Sequence, residues 1–280
     1  MRKILAVSGG IDSVVMLHLL RDDPDIVVAH FNHNIRCNSA EDCDFVARLA
    51  RKYHCDFVSE DANLNVDASE AEAREARYGF LNRICAERHG RLYVAHHKDD
   101  IYETIAINIL RGTGWRGLAP LRNPNIERPL LSWSKRDIYL YAAKNQLSFR
   151  QDQTNTEDTY LRNRVRERLR FLNDEQRKRL DYLYQRQCET GAEINQIIGA
   201  LTPNEEKYIS RELFRKIDEE VAIELLRELL RKCSISQTRP QMSRIIDAIR
   251  TYRAGKQFPL GKNACVKVTK YHFLIKIDNT

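Results

Sequence analysis

Over its first third the chain alternates short apolar runs with stretches of helical periodicity, and that alternation leaves few folds open. Residues 3–7 and 26–31 have the composition of buried strands, with shorter strand candidates at 56–59 and 92–95. Between them lie helical patterns: Val14, Val15, Leu17, His18 and Leu20; then Phe45, Val46, Leu49 and Ala50 within 39–53; then 68–88 and 99–110. This βαβα order predicts an α/β fold, a doubly wound parallel sheet with ligands bound beyond the carboxyl ends of its strands. The pattern breaks at Arg111-Gly112-Thr113-Gly114. The chain then reads as loop to Ser134, with Pro120, Pro124 and Pro129, and as helix over 134–144. Beyond Asp174 it is mainly helical, at 175–198, 221–233 and 241–252. Residues 258–277 alternate around Gly261-Lys262-Asn263 as a hairpin does. We place a boundary near residue 200, giving a domain over 1–200 and a smaller, mainly helical one over 201–280.

Composition narrows the class. The 280 residues are 42% hydrophobic and 30% charged, and the longest apolar runs, such as Ile26-Val27-Val28-Ala29, are too short to span a bilayer. Met1-Arg2-Lys3 precedes a strand-like run and not the apolar region of a signal peptide. Seven cysteines at 37, 43, 55, 85, 188, 233 and 265 form no CxxC pair. They read as reduced thiols of a cytoplasmic protein, without a zinc or iron–sulfur site. The net charge is +7, and arginine is dense from Arg111 to Arg170, which a polyanionic partner would explain.

Ser8-Gly9-Gly10-Ile11-Asp12-Ser13 joins the first strand to the first helix. Glycines there let the backbone approach an anion, the helix N-terminus offers N–H groups, and Ser8 and Ser13 add hydroxyls. Asp12 would repel phosphate unless a cation stood between them, which reads as a Mg²⁺ partner. A plain glycine turn followed by Asp and Ser as helix caps fits the same residues. The chain has neither GxxxxGK[ST] nor GxGxxG. The loop resembles the SGGxDS signature of the N-type ATP pyrophosphatases. In that group it holds the departing pyrophosphate, so that attack falls on the α phosphate.

Further segments carry recognisable patterns. His30 to Arg36 has an HxxHxxR form through His30, His33 and Arg36. Glu72 to Tyr78 contains AR-x-x-RY through Arg74 and Arg77. Ala95 to Thr104 reads AHHxDDxxET through His96, His97, Asp99, Asp100 and Glu103. Arg111-Gly112, Arg128-Pro129-Leu130-Leu131, Asp152-Gln153-Thr154-Asn155 and Arg162-Asn163-Arg164-Val165-Arg166 follow in order. In this order, over roughly 3–170, the set resembles one branch of that group, the tRNA(Ile)-lysidine synthetases. The resemblance implies an adenine nucleotide α-hydrolase-like sheet and ATP held by Ser8, Gly9, Gly10, Ile11, Asp12, Ser13, His33 and Arg36. It implies Mg²⁺ on Asp12 and Asp100, and Asp12, Asp100 and His96 as catalytic groups, with His97 and His33 as other candidate bases. Substrate and tRNA would be held by Arg74, Arg77, Arg111, Asn155, Arg162, Asn163, Arg164 and Arg166. The reaction implied is adenylation of the wobble cytidine of an isoleucine tRNA, then displacement of AMP by free lysine. Neither a membrane nor a protein partner is required.

Each segment has a plainer reading. His96, His97 and the two aspartates could cap a helix, Asp99 or Asp100 fitting its N-terminal turn; we assign the cation role to Asp100 and leave Asp99 as a cap or supporting group. Arg74 and Arg77 share a helical face and could pair with surface carboxylates. The arginines at 162, 164, 166, 168 and 170 would spread around a helix but line one face of an extended segment. Longer relatives carry two modules after the catalytic domain. About eighty residues follow our boundary, so the last module is expected to be missing. Thiolating relatives use CxxC cysteines, absent here, and GMP synthetase would need an amidotransferase partner. Another adenylating tRNA-modifying enzyme and a non-catalytic RNA-binding module remain as alternatives; paired carboxylates facing a phosphate loop argue against the second.

Overall fold

The computed structural model describes residues 1–32, 39–62, 70–150, 157–202, 208–261 and 264–277. It divides into two compact units, Met1–Gln187 and Cys188–Thr280. The division falls inside a helix, α7, described below.

The first unit contains β1 (Arg2–Ala6), α1 (Ile11–Leu20), β2 (Ile26–Asn32), α2 (Ser39–Lys52), β3 (Asp56–Asp61) and α3 (Glu70–Glu87). It continues with β4 (Gly90–Tyr93), α4 (Lys98–Leu110), β5 (Ile126–Glu127), α5 (Lys135–Lys144) and α6 (Glu157–Leu169), and takes in the start of α7 (Asp174–Leu201). The five strands lie in the order β3-β2-β1-β4-β5, all parallel.

Period-two side-chain alternation sends the apolar residues of the central strands to two cores, one on each face of the sheet. Leu5 and Val7, with Ile26 and Val28, face a core shared with α1, α2 and α5. Ile4, with Val27, Ala29 and Phe31, faces the opposite core, shared with Phe80, Leu81 and Ile84 of α3. Every residue of β2 is buried, as a strand covered on both faces requires. Leu5 and Leu17 have no exposed surface, so truncating either to alanine would cost about 2–5 kcal/mol. A third cluster seats α4 through Ile101, Tyr102 and Ile105, against Leu169 of α6 and Leu180 and Tyr184 of α7.

The second unit adds β6 (Ile209–Ser210), α8 (Arg211–Lys216), α9 (Glu219–Lys232), α10 (Arg239–Thr251), β7 (Gln257–Gly261), β8 (Ala264–Val268) and β9 (His272–Ile277). The expected terminal hairpin is part of a four-stranded antiparallel sheet, β6-β9-β8-β7. Ala222, Leu226 and Leu230 of α9 and Ile245, Ile246 and Ile249 of α10 pack with Val266, Val268 and Phe273 of that sheet. Buried Arg211 donates to the carbonyls of Ile249, Tyr252 and Thr269 at 2.7–2.8 Å, tying α8, α10 and the β8–β9 turn together. Among the described residues no helix is long and apolar enough to cross a membrane.

Candidate functional site

In the first sheet the strand order reverses beside β1: its α1 connection leads to β2 on one side, while β4 lies on the other. Such a reversal opens a crevice beyond the carboxyl ends of the two strands. The segments that enter it are the Ser8–Ser13 loop after β1 and His96-His97 after β4. Buried His30, at the end of β2, donates from its ring nitrogen Nδ1 to the Val7 carbonyl at 2.8 Å and so supports the loop from beneath. Burial holds this imidazole below its usual pKa, which favours the neutral form.

Gly9 has φ +90°, a conformation that side chains strain to adopt, and its carbonyl accepts Arg150 N–H at 2.9 Å. The turn lifts the chain so that α1 begins beyond Gly10 with no side-chain cap. Ser13 Oγ donates to Gly10 O at 2.9 Å and lies 3.3 Å from Ser8 Oγ, and the Ser8 N–H donates to it at 3.2 Å. Asp12 is therefore not a cap. Its carboxylate points across the crevice to Lys135, whose Nζ donates to Oδ1 at 2.6 Å and to Oδ2 at 2.8 Å.

His97 is buried between three carboxylates. Its Nε2 lies 3.8 Å from Asp12 Oδ1 and 3.7 Å from Asp100 Oδ2, and its Nδ1 lies 3.9 Å from Asp99 Oδ2. The two acidic neighbours divide their tasks in a way the sequence leaves open. Asp100 Oδ2 accepts the His97 N–H at 2.8 Å, completing the capping box at the start of α4, and lies on the same Nε2 edge of the imidazole as Asp12. Asp99 instead binds elements distant in sequence: it accepts Lys135 N–H at 2.7 Å and Arg177 Nη1 at 3.1 Å. Asp99 is thus a clamp between α4, α5 and α7 and not a cap; the N-cap is His97, and Asp100 completes its capping box from the third helical position.

His96 turns the other way, into a cavity of about 900 Å³ that it lines with Arg74, Tyr78, Arg91, Asn123 and Arg128 among others. Burial, aided by the charges of Arg128, Arg74 and Arg77, pushes its pKa down to about 4, with Asp100 opposing. Its Nδ1 and Arg128 Nε are buried with no hydrogen-bond partner among the described residues. Arg74 and Arg77 both stack on the Tyr78 ring, 4.9 and 5.5 Å from its centroid. Arg74 and Arg128 therefore sit beside His96, while Asp12 and Asp100 sit on the His97 side.

Residues 157–169 form a helix, so the alternating arginines are spread around a cylinder and do not share a face. Arg166 turns inward. Its Nε donates at 2.6 Å to Glu103, a carboxylate side chain only 7% exposed. Burial pushes the Glu103 carboxyl above the usual range, and the Arg166 pair pulls against it. Arg164 is exposed, Arg162 and Asn163 are half-buried, and Arg111 is exposed at the end of α4. His33, Arg36 and Asn155 lie outside the described residues.

Lys135, Arg177, Arg150 and Glu103 carry no expected role in the sequence reading, although Glu103 lies inside one of its motifs. Lys135 approaches Asp12 from 123 positions away, a proximity that no local pattern announces. The faint signal for it is its place just inside a helix start: Ser134 and Asp137 form a capping box there.

The carboxylate set suits a hard divalent cation. Asp12 Oδ1 and Asp100 Oδ2 each lie within 3.8 Å of His97 Nε2, and among the described residues no group of three or more His, Cys, Asp or Glu could by itself hold a metal ion, so these two carboxylates would supply only part of a shell. Magnesium typically uses one or two carboxylates, with waters and substrate phosphates completing its shell.

Residues 1–172 match the family model described as a PP-loop domain. The tRNA(Ile)-lysidine synthase of Geobacter sulfurreducens is 38% identical over 184 residues, covering 60% of this chain and 39% of that protein. The enzyme of the same name from Bacillus subtilis is 34% identical over 223 residues, covering 72% of this chain and 47% of that protein. The chain thus spans less than half the length of these relatives. The fold is also that of the U34-tRNA thiolase NcsA from Methanococcus maripaludis, with a TM-score of 0.57 and 19% identity over 68% of this chain and 72% of that one.

Proposed function

The chain belongs to the PP-loop domain family, and on that premise we propose that it forms lysidine at the wobble cytidine of an isoleucine tRNA, consuming ATP and free lysine and releasing AMP and pyrophosphate. The observation that carries this reading is the convergence of the Ser8–Ser13 loop, Asp12 and Asp100 around His97 at the sheet's switch point. The names of the relatives supply the tRNA and the product, and the ordered motif set supports the same choice.

Each step has residues suited to it. The loop offers the uncapped N-terminus of α1 and the Ser8 hydroxyl to the β and γ phosphates, with Ser13 bracing the loop through Gly10 and Ser8, leaving the α phosphate open to attack. Asp12 and Asp100 would hold Mg²⁺, which would supply positive charge to offset that of the phosphates. The cytidine carbonyl oxygen attacks the α phosphate, which requires the base to leave its stack. Arg74, Tyr78 and Arg128, beside His96, offer charge and a ring face to an extruded nucleotide. In the second step the lysine amine, in its neutral form, displaces AMP from the adenylated base. His96, held neutral down to about pH 4, is too weak a base to keep a lysine proton, so its role is that of an uncharged hydrogen-bonding partner. Arg162, Asn163, Arg164 and Arg111 stand as tRNA backbone contacts. Arg166 belongs, on its pairing with Glu103, to the support of the site.

The test is the bond that breaks. With α- and γ-labelled ATP, tRNA should stimulate release of AMP and pyrophosphate. Asp12→Asn should reduce that release by about 10²–10³-fold without unfolding the protein. ADP and orthophosphate as the tRNA-dependent products would overturn the reading.

A further inference from the structure

The Ser8–Ser13 loop contains no lysine, yet a lysine stands over it. Lys135 Nζ reaches both oxygens of Asp12 at 2.6 and 2.8 Å, from the first turn of α5. Its backbone is held independently of that contact. The Lys135 N–H donates to Asp99 at 2.7 Å, and the Ser134–Asp137 capping box fixes the helix start. Only the flexible four-carbon stem is committed to Asp12, and the ammonium also lies over the Tyr139 ring, 5.5 Å from its centroid. Asp12 and Lys135 side chains are each about one-third exposed, so the pair is reachable by ions from solvent.

As placed, the Lys135 ammonium contacts both Asp12 oxygens, so a divalent cation that binds this carboxylate must displace it from at least one of them, and the like charges oppose sharing the other. The geometry points to Lys135 as a resident counter-ion of the nucleotide site, a role that rests on the metal reading of Asp12. In the nucleotide-free protein Lys135 neutralises Asp12 and keeps its carboxylate oriented toward the crevice. A divalent cation arriving with the polyphosphate takes the Asp12 oxygens and releases the ammonium. Lys135 then moves by rotation of its own stem to the phosphate oxygens, where it supplies the positive charge that a P-loop would carry within the loop itself. No bond is made or broken in this exchange, only the partners of one ammonium and one carboxylate. The site thereby avoids an unpaired, half-buried carboxylate when empty.

The exchange predicts effects of opposite sign on two ligands. Mn²⁺ binding to the nucleotide-free protein is measured by electron paramagnetic resonance, and Mg·ATP binding by calorimetry, for the wild type and for Lys135→Met, Lys135→Gln and Asp12→Asn. Removing the competing ammonium should tighten Mn²⁺ binding by roughly 3- to 10-fold, the size of a half-screened charge interaction. The same two variants should weaken Mg·ATP binding by roughly 10-fold or more, the loss of a charged hydrogen bond to phosphate. Asp12→Asn should abolish the Mn²⁺ site. A loosened fold would weaken both ligands together, and that result overturns the inference. So does unchanged Mn²⁺ affinity in the Lys135 variants while Asp12→Asn loses the site; the metal reading then stands alone. Normal Mn²⁺ binding by Asp12→Asn overturns the metal reading, and the counter-ion role with it.

Discussion

Replacing Arg166 with methionine would separate support of the site from contact with RNA. The substitution keeps most of the apolar stem and removes the guanidinium that donates to Glu103 at 2.6 Å. Breaking a fully buried ion pair costs about 3–5 kcal/mol, because the remaining charge is stranded, whereas exposed pairs are worth about 1 kcal/mol or less. Here the Glu103 side chain is 7% exposed and that of Arg166 is 45%. The loss should fall between those limits, at about 2 kcal/mol near pH 7. Its pH dependence follows from Glu103, whose carboxyl burial already raises and whose Arg166 pair pulls it back. Without that pair the folded-state pKa rises further above the unfolded value. The folded protein then takes up a proton more readily than the unfolded chain, and stability falls as pH rises through the folded pKa. The penalty of Arg166→Met should therefore be smallest near pH 5 and grow toward pH 7. In Glu103→Gln/Arg166→Met that growth should vanish. Urea unfolding followed by tryptophan fluorescence is the assay, since the only tryptophans, Trp115 and Trp133, both lie in the first unit. A penalty below about 0.5 kcal/mol, or one that ignores pH, would refute the reasoning. Full stability with selectively lost tRNA binding would return Arg166 to the RNA surface.

Three other places in the chain give testable outcomes. The His96 ring protons should titrate near pH 4, and a midpoint near 6.5 would contradict the buried site. Because the unfolded chain takes that proton first, His96 should cost stability on the order of 2–3 kcal/mol as pH falls from about 6.5 toward 4, a loss that His96→Gln removes. Arg211→Met strands three carbonyls and should destabilise the second unit by about 3–5 kcal/mol; hydrogen exchange at Ile249 and Val268 reports it, and unchanged protection there would contradict the role of the guanidinium. Arg162→Gln and Arg164→Gln should each flatten the logarithmic salt dependence of tRNA binding by roughly 0.7–0.9 while ATP affinity holds. Lost ATP affinity with intact tRNA binding would reverse that placement.

Much of the first unit was legible because its elements carry their own periodicity. The apolar run at 26–31 became β2, and the 39–53 pattern became α2, ending at Lys52. The loop announced itself through Gly9 and Gly10, and the acidic pair through the block after β4. Contacts between distant segments were not legible. Nothing near Asp12 in sequence points to Lys135, and nothing near Asp99 points to Arg177. Arg166 was hidden for a different reason: arginine at every second position is ambiguous until the backbone is known to be helical, and its partner Glu103 read only as part of a motif. Short pieces were also invisible, since β5 and β6 are two residues each and have too few positions to show a period.

The most direct test of the account is incubation of the protein with ATP, Mg²⁺, labelled lysine and a mixed tRNA pool, followed by mapping of the labelled nucleotide. The account predicts label on isoleucine tRNA alone, at the wobble cytidine, with one AMP formed for each lysine transferred. Pyrophosphate release without lysine transfer, or label on another tRNA or at another base, would contradict it.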